Sequence, residues 1–357
     1  MILLISGASL SASPYINSYI EILERNSIQY EIIYWNRDLN DIENMPSNYI
    51  PYNVSCNNAL PRYRRIFSAL KYYHFIINHT HYKKYSHVIV FTLGIAVLIG
   101  RLLKKYKGNY ILDIRDYSAI LKLNFLDNYV KKIISESAFT VISSEGFKDW
   151  LPKGKECRYL ITHNIGKELI WASRPFRPVS PVSKCKLLTI GQIRDAMANK
   201  WVISELGHLS QYELIFAGFG LAVDELREFT ENGGYGNVIF TGKYNKEDEG
   251  EIVRNCDMIN IFFMHGTNSD TLMSNRFYLS VLHRKPMIVR EGTYQATIVK
   301  KFHIGVVVNN SESLSNQIEK YWSSFDVDLY TKGCQAFLDL VLQDIDYWEK
   351  KLLTAIS

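Results

Sequence analysis

Three cations stand where a phosphate could lie. Arg194 and Lys200 follow an apolar run that ends in Gly191, and Arg276 falls near the start of LMSNRFYLSVLHRKPMIVREG, residues 272 to 292. In that stretch Ser274 is a good helix N-cap type, Phe277, Val281 and Leu282 recur at helical spacing, and Lys285-Pro286 stops the helix before Met287, Ile288 and Val289. A helix N-terminus carries partial positive charge, so a guanidinium in its first turn is disfavoured unless an anion occupies the same place. The competing reading is a surface arginine paired with Asp270 or Glu291. Gly218 and Gly220, in AGFG, follow a further apolar run. Glycine lets a backbone approach an anion closely, although glycines also simply turn strands into helices. Three cations at the ends of different strands would repel one another unless something anionic lay between them, and a diphosphate fits best.

Other side chains could move protons. Asp113 and Asp116 flank Arg115 at the end of the YIL strand, where a carboxylate could take a proton from a hydroxyl, cap the next helix or pair with Arg115. His163 in THNIG and His265 in MHGTNSD could each contact a substrate. The D-x-D pairs at Asp326 to Asp328 and Asp344 to Asp346 lie near the C-terminus, the second on the solvent face of an amphipathic helix, so no metal role is expected of them.

The elements that must position these groups alternate. MILLIS, EIIYWN, HVIVFTL, YILDIRD and FTVISS read as strands, separated by helices at about Tyr15 to Arg25, before RLLKKYKG, and near Asp127 to Ser137. WASRPFRPVSPVSK, rich in Pro and Ser, interrupts the pattern as a linker. KLLTIG, YELIFAG, NVIFTG, MINIFF, PMIVRE and GVVVNN then form a second series with helices between them. Strands alternating with helices predict parallel sheets covered on both faces, hence an α/β chain of two doubly wound domains facing a cleft. The boundaries expected are 1–170, a linker at 171–186, 187–335, and a C-terminal helix at 336–357 carrying Phe337, Leu340, Val341, Ile345, Trp348 and Leu352 on one face.

Composition narrows the function classes. The chain has 357 residues, 47% apolar and 22% charged, which is globular and long enough for two cores. Its five cysteines are scattered without C-x-x-C spacing, which disfavours a disulfide frame or a zinc site. The longest apolar run, Val88 to Gly100, is shorter than the roughly 18 residues a membrane span needs, and no secretory n-region precedes MILLIS, so a cytoplasmic protein is expected. The net charge of +5 is unevenly spread: no acidic residue occurs between Glu43 and Asp113. Within that span ALPRYRRIFSALKYYHFIINHTHYKKY interleaves cations with aromatics; Ile66, Phe67, Leu70, Tyr73 and Ile77 share a helical face, with Arg62, Arg64, Arg65 and Lys71 around it. This is either a packed helix with a solvated charged side or an interfacial helix resting on an anionic membrane surface. No nucleic-acid-binding motif accompanies the patch.

The order of motifs resembles a known group. IGQIRDAMANK, YELIFAGFGLAVDEL, NVIFTGKYNKEDEGEIVRNCDM and SNRFYLSVLHRKPMIV are similar to the nucleotide-sugar-binding domain of GT-B fold glycosyltransferases, especially bacterial family 4-like enzymes of polysaccharide assembly. LDIRDYS, TVISSEGFKDWL and THNIG resemble the corresponding first-domain segments, and the terminal helix resembles one that crosses back onto that domain. The resemblance implies a nucleoside-diphosphate sugar as donor, held by Gly191, Arg194, Lys200, Gly218, Gly220, Asn275 and Arg276. It implies transfer of a hexosyl-type sugar to a saccharide acceptor, lipid-linked in capsule or surface polysaccharide synthesis, placed near Gly7, Ser9, Tyr15, His163 and His265. Asp116 or Asp113 would be the base, no metal or other cofactor would be needed, and the protein would lie peripherally on the inner face of the plasma membrane. One departure stands out: family 4 enzymes usually carry Glu where this chain has Leu279 and Thr271, and Asp270 is the nearest acidic replacement for the latter. Retention or inversion is therefore open. A sugar-nucleotide epimerase of the same fold and a non-catalytic partner subunit are the alternatives.

Overall fold

The computed structural model describes residues 1–357 except 40–44, 57–59, 174, 176–177, 179 and 182. Positions 174, 176, 177, 179 and 182 of the expected linker thus lie outside the described residues. The chain forms two compact units, Met1–Asn164 with Asp344–Ser357, and Ile165–Gln343.

In the first unit, strands β1 (Ile2–Ser6), β2 (Tyr30–Trp35), β3 (Tyr49–Tyr52), β4 (His87–Phe91), β5 (Tyr110–Ile114), β6 (Phe139–Ile142) and β7 (Tyr159–Ile161) form one parallel sheet in the order β3-β2-β1-β4-β5-β6-β7. Its helices are α1 (Ile16–Arg25), α2 (Arg62–Thr80), α3 (Leu93–Leu98), α4 (Gly100–Leu103) and α5 (Asp127–Glu136). All five residues of β1 are buried, as a strand apolar on both faces requires when helices cover both sides. The edge strands β3 and β7 were not expected; both are only half-buried, and β3 contains Pro51, which an edge tolerates.

Helix α2 docks through a different face from the one the sequence suggests. Tyr72, Ile76 and Thr80, spaced four apart, are buried, and the Tyr72 hydroxyl donates to the Ser6 carbonyl at 2.5 Å. Ile66, Phe67 and Leu70 are left exposed on the N-terminal half, and Phe67 is 63% exposed.

In the second unit, helix α6 (Lys167–Ala172) precedes a second parallel sheet, of β8 (Cys185–Gln192), β9 (Tyr212–Phe219), β10 (Val238–Gly242), β11 (Met258–Asn260), β12 (Met287–Arg290) and β13 (Gly305–Val308), in the order β10-β9-β8-β11-β12-β13. Around it lie α7 (Ala196–Leu206), α8 (Val223–Gly233), α9 (Glu249–Arg254), α10 (Thr267–Thr271), α11 (Asn275–Leu282), α12 (Tyr294–Phe302) and α13 (Leu314–Ser323). Leu187, Val202, Leu206, Leu214, Leu226 and Ile288 belong to its core. Strand order reverses between β8 and β11, and in doubly wound sheets ligands bind beyond the carboxyl ends of the strands at such a switch point.

The terminal helix, α14 (Val327–Ile356), starts nine residues before the expected 336. Asp326 explains the start, because its Oδ1 accepts from the amides of Asp328 and Leu329, both at 2.9 Å. Phe337 packs on Phe277, Tyr278 and Phe302 in the second unit, whereas Trp348 meets Tyr19 edge-on at 4.9 Å in the first. The crossing back of this helix is thus built from two separate aromatic contacts. All five cysteines are buried and free.

Candidate functional site

The loops after β8 and β11 are laced together by buried polar groups. Asn260, the last residue of β11, donates to Thr189 Oγ1 at 2.9 Å and to Asn199 Oδ1 at 3.2 Å, and its own Oδ1 accepts from the Phe262 amide. Asp195 caps α7 by accepting from Ala198 N, and its other oxygen accepts from Met264 N at 2.9 Å. Neither Asn260 nor Asp195 was singled out from the sequence. An Asn closing an otherwise apolar buried strand was the available signal, since a buried amide needs partners.

Into this frame α11 delivers Arg276. Its Nε donates to the Ile190 carbonyl at 2.6 Å and its Nη2 to the Gln192 carbonyl at 2.9 Å, so both acceptors are neutral backbone at the end of β8. Burial pushes its pKa down to about 10, partly offset by Tyr244, and it remains a cation at neutral pH. The pairing with Asp270 or Glu291 does not occur: Asp270 is engaged by Arg290 and His265, and Glu291 by Lys300. Ser274 occupies the N-cap position of α11, but its hydroxyl donates to Gln295 Oε1 and makes no cap hydrogen bond. The Ser274 carbonyl accepts from the Phe277 amide at 3.0 Å, while its side chain leaves the amides of Asn275 and Arg276 uncapped, and Asn275 is exposed beside them.

The other expected donor groups divide. Arg194 is exposed, donates to the Gln192 side chain and, among the described residues, makes no ion pair. Lys200 Nζ donates to Glu225 at 2.6 Å, so an anionic partner already stands beside it. Gly191, at φ +84°, has no atom nearer than the Tyr244 hydroxyl, 3.9 Å from where a Cβ would stand. Gly218 and Gly220 serve packing: a Cβ on Gly218 would strike the Gly191 carbonyl, and one on Gly220 the Ile193 carbonyl. The glycines of AGFG thus let the β9 loop lie against the β8 loop.

At Thr271 and Leu279, where a carboxylate pair is usual in the resembling family, Thr271 is buried with its hydroxyl donating to the Thr267 carbonyl, and Leu279 is half-buried. Asp270 does not stand free in their place. Arg290 holds one of its oxygens and the His265 ring the other, which neutralises it as a lone nucleophile or base.

In the first unit Asp113 is engaged within the fold. It is fully buried, takes a two-pronged ion pair from Arg115 (Nε to Oδ1 2.6 Å, Nη2 to Oδ2 2.8 Å) and accepts from the Tyr19 hydroxyl at 2.7 Å. Burial alone would lower the Arg115 pKa, but the adjacent Asp113 carboxylate more than reverses this and raises it. Asp113 thus anchors Arg115 and Tyr19 inside the sheet. Asp116, three residues on, is exposed beyond the end of β5. Tyr15 lies under the Arg115 guanidinium at 4.8 Å, with its pKa pushed up to about 12 by burial and then by Asp113. Ser9 is buried with its hydroxyl 3.5 Å from Asn36 Oδ1, and Gly7 is required because a Cβ there would meet the Ile95 side chain at 2.5 Å. His163, expected to meet an acceptor, instead pairs with Asp344 of the terminal helix at 3.0 Å. Asp326 and Asp344, the first residues of the two D-x-D pairs, are thus a helix cap and a partner of His163.

Arg62, Arg64, Arg65 and Lys71 are all exposed on α2 and make no ion pair among the described residues, in keeping with the acid-free run around them. No helix of the described residues is long and apolar enough to cross a membrane.

Two successive doubly wound parallel sheets, with a final helix shared between them, are the GT-B architecture, and the chain has this fold. Sucrose-phosphate synthase from Thermosynechococcus elongatus superposes with a TM-score of 0.71 at 13% identity, covering 99% of this chain and 96% of that one. HepE from Anabaena, solved with UDP and glucose, superposes at 0.66 and 13% identity over 99% and 100% of the two chains. The lipopolysaccharide outer core galactosyltransferase WaaB gives 0.64 at 14% identity over 99% and 98%. No family model and no curated protein sequence matches the chain.

Proposed function

We propose that the protein is a glycosyltransferase that takes a hexosyl-type sugar from a nucleoside-diphosphate sugar and adds it to a lipid-linked saccharide in bacterial surface polysaccharide synthesis. The observation that carries the reading is Arg276, a guanidinium fixed to neutral carbonyls at the switch point of the second sheet and, among the described residues, without an ion-pair partner. Arg194 and the amides at the start of α11 add to it, and together they would take the charge of the departing diphosphate without a metal. HepE, of the same fold, was solved with UDP-glucose, which supports a uridine nucleotide as the first donor to try.

Asp116 is the residue proposed to accept the acceptor's hydroxyl proton, with Gly7, Ser9 and Tyr15 shaping the nearby surface of the first unit. The exposed apolar and basic half of α2 supports a peripheral place on the inner face of an anionic membrane, where a lipid-linked acceptor would be held.

The test is thermal shift with UDP, GDP and CMP and their sugars, since a ligand that binds only the native state raises Tm by mass action. A shift with one nucleotide, lost in Arg276→Ala while the unliganded Tm is kept, is the expected result. No shift with any of them, from a folded sample, would replace this reading with a non-catalytic partner subunit, for which the missing carboxylates at Thr271 and Leu279 already speak.

A further inference from the structure

His265 is the one histidine on the loop that follows β11, at the switch point of the second sheet. Its Nδ1 lies 2.6 Å from Asp270 Oδ2, although the side chain is 85% exposed. Asp270 belongs to α10 and is held on its other oxygen by Arg290, at the end of β12. Arg290 is in turn fixed to backbone, with Nε donating to the Phe263 carbonyl and Nη1 to the Glu291 carbonyl, both at 3.0 Å. The loop itself is pinned before the histidine by Asn260 and Asp195, which accept from the Phe262 and Met264 amides. An exposed ring held this firmly gives up rotamer freedom without gaining burial, which is the pattern of a preorganised ligand group. Donation from Nδ1 to the carboxylate fixes the tautomer and leaves Nε2 as the outward atom.

We infer that His265 Nε2 is a hydrogen-bonding contact for the donor's diphosphate, placed by Asp270 and Arg290 and acting with Arg276. The inference rests on the reading of the second unit as a nucleoside-diphosphate site and assigns His265 to the donor, where the sequence placed it with the acceptor. The Arg276 guanidinium lies 5.9 Å from the Phe263 ring, two residues before the histidine, and Arg194 stands on the facing β8 loop. The charged groups around the ring's loop are Asp270 from α10, Arg290 from β12, Asp195 at the N-cap of α7 and Arg276 from α11. Because Arg290 already balances Asp270, a proton on His265 adds a net positive charge to the site. A diphosphate touching Nε2 favours that proton, so binding and proton uptake are coupled.

The experiment is calorimetric titration of UDP into the full chain and into His265→Gln at pH 6, 7 and 8, each in two buffers of different ionisation enthalpy. Ionisation of UDP's own phosphate is common to both proteins, so the difference between them isolates the imidazole. The wild type should take up more protons than the variant, and the ratio of their affinities should grow from near unity at pH 8 to about fivefold at pH 6, the scale of one charge-assisted hydrogen bond. Asp270→Asn should weaken the low-pH gain, whereas a merely structural role for Asp270 would lower Tm and leave the pH dependence intact. An affinity ratio that stays flat from pH 8 to 6 overturns the inference while leaving the donor site standing. Absence of UDP, GDP and CMP binding at every pH overturns the donor reading and this inference together.

Discussion

Arg276 donates to the Ile190 carbonyl at 2.6 Å from a helix that begins 85 residues later in the chain, and this bond ties α11 to the tip of β8. A neutral acceptor fixes the guanidinium's place but leaves its charge available, unlike the carboxylates that hold Arg290 and Lys300. Arginine offers a planar fork; lysine offers a single point charge. Arg276→Lys should therefore lose the carbonyl bonds and bind the donor nucleotide about tenfold to hundredfold more weakly, with the unliganded Tm little changed. A lysine variant that binds as tightly as wild type would mean that charge alone, not placement by Ile190 and Gln192, sets affinity.

Asp113 and Asp116 separate stability from chemistry. Asp113→Asn leaves the buried Arg115 without its counter-charge and should cost about 3–5 kcal/mol in unfolding free energy. Asp116→Asn, at an exposed position, should leave unfolding within about 0.5 kcal/mol of wild type and lower kcat strongly with KM for the donor kept. Denaturant unfolding and steady-state kinetics on the same two proteins distinguish these outcomes. Full activity in Asp116→Asn would remove it as the base.

The alternation of apolar strands with amphipathic helices made both sheets readable, because a buried parallel strand has a pattern little else imitates. Which cation was free was not readable. Lys200 is paired with Glu225, twenty-five positions away, and only the packing of α7 beside α8 brings them together. Asp113 and Asp116 are equivalent in DIRD until the strand's end is known. β5 runs to Ile114, so Asp113 lies inside the sheet and Asp116 beyond it. On α2 the periodicity was genuine, but two stripes satisfied it. The more apolar one, with Ile66, Phe67 and Leu70, is exposed, and the one that packs is carried by Tyr72 and Thr80, whose hydroxyls find backbone acceptors.

Glu31 should make the first unit sensitive to acid. Burial by itself would raise its pKa, but hydrogen bonds from Lys83, Tyr85 and His79 lower it to about 2. The folded value lies below the unfolded one, so the stabilisation is fully present above the ordinary glutamate pKa of about 4.3 and is lost as pH falls from there toward 2. Its side chain is 16% exposed, and the expected loss over that window is about 2 kcal/mol. Glu31→Gln should be less stable than wild type at pH 7 and converge with it near pH 2, measured by denaturant unfolding across pH. A constant gap at all pH values would show that the carboxylate's charge contributes nothing.

The exposed half of α2 makes the membrane proposal separable from catalysis. Tyr63, Ile66, Phe67 and Leu70 are apolar side chains in water, and Arg62, Arg64, Arg65 and Lys71 surround them without acidic partners among the described residues. Each cation near an anionic surface contributes about 1 kcal/mol, and inserted aromatic and aliphatic groups add the apolar term. Co-sedimentation with vesicles should therefore rise with phosphatidylglycerol content and fall with salt. Arg64→Glu with Arg65→Glu should abolish the dependence on anionic lipid, and Phe67→Asp should weaken binding at any salt, while both leave Tm and the shift with donor nucleotide unchanged because α2 packs through Tyr72, Ile76 and Thr80. Equal sedimentation with neutral and anionic vesicles would make this face an ordinary solvated helix surface, and the acceptor would then have to reach the protein without a lipid surface beneath it.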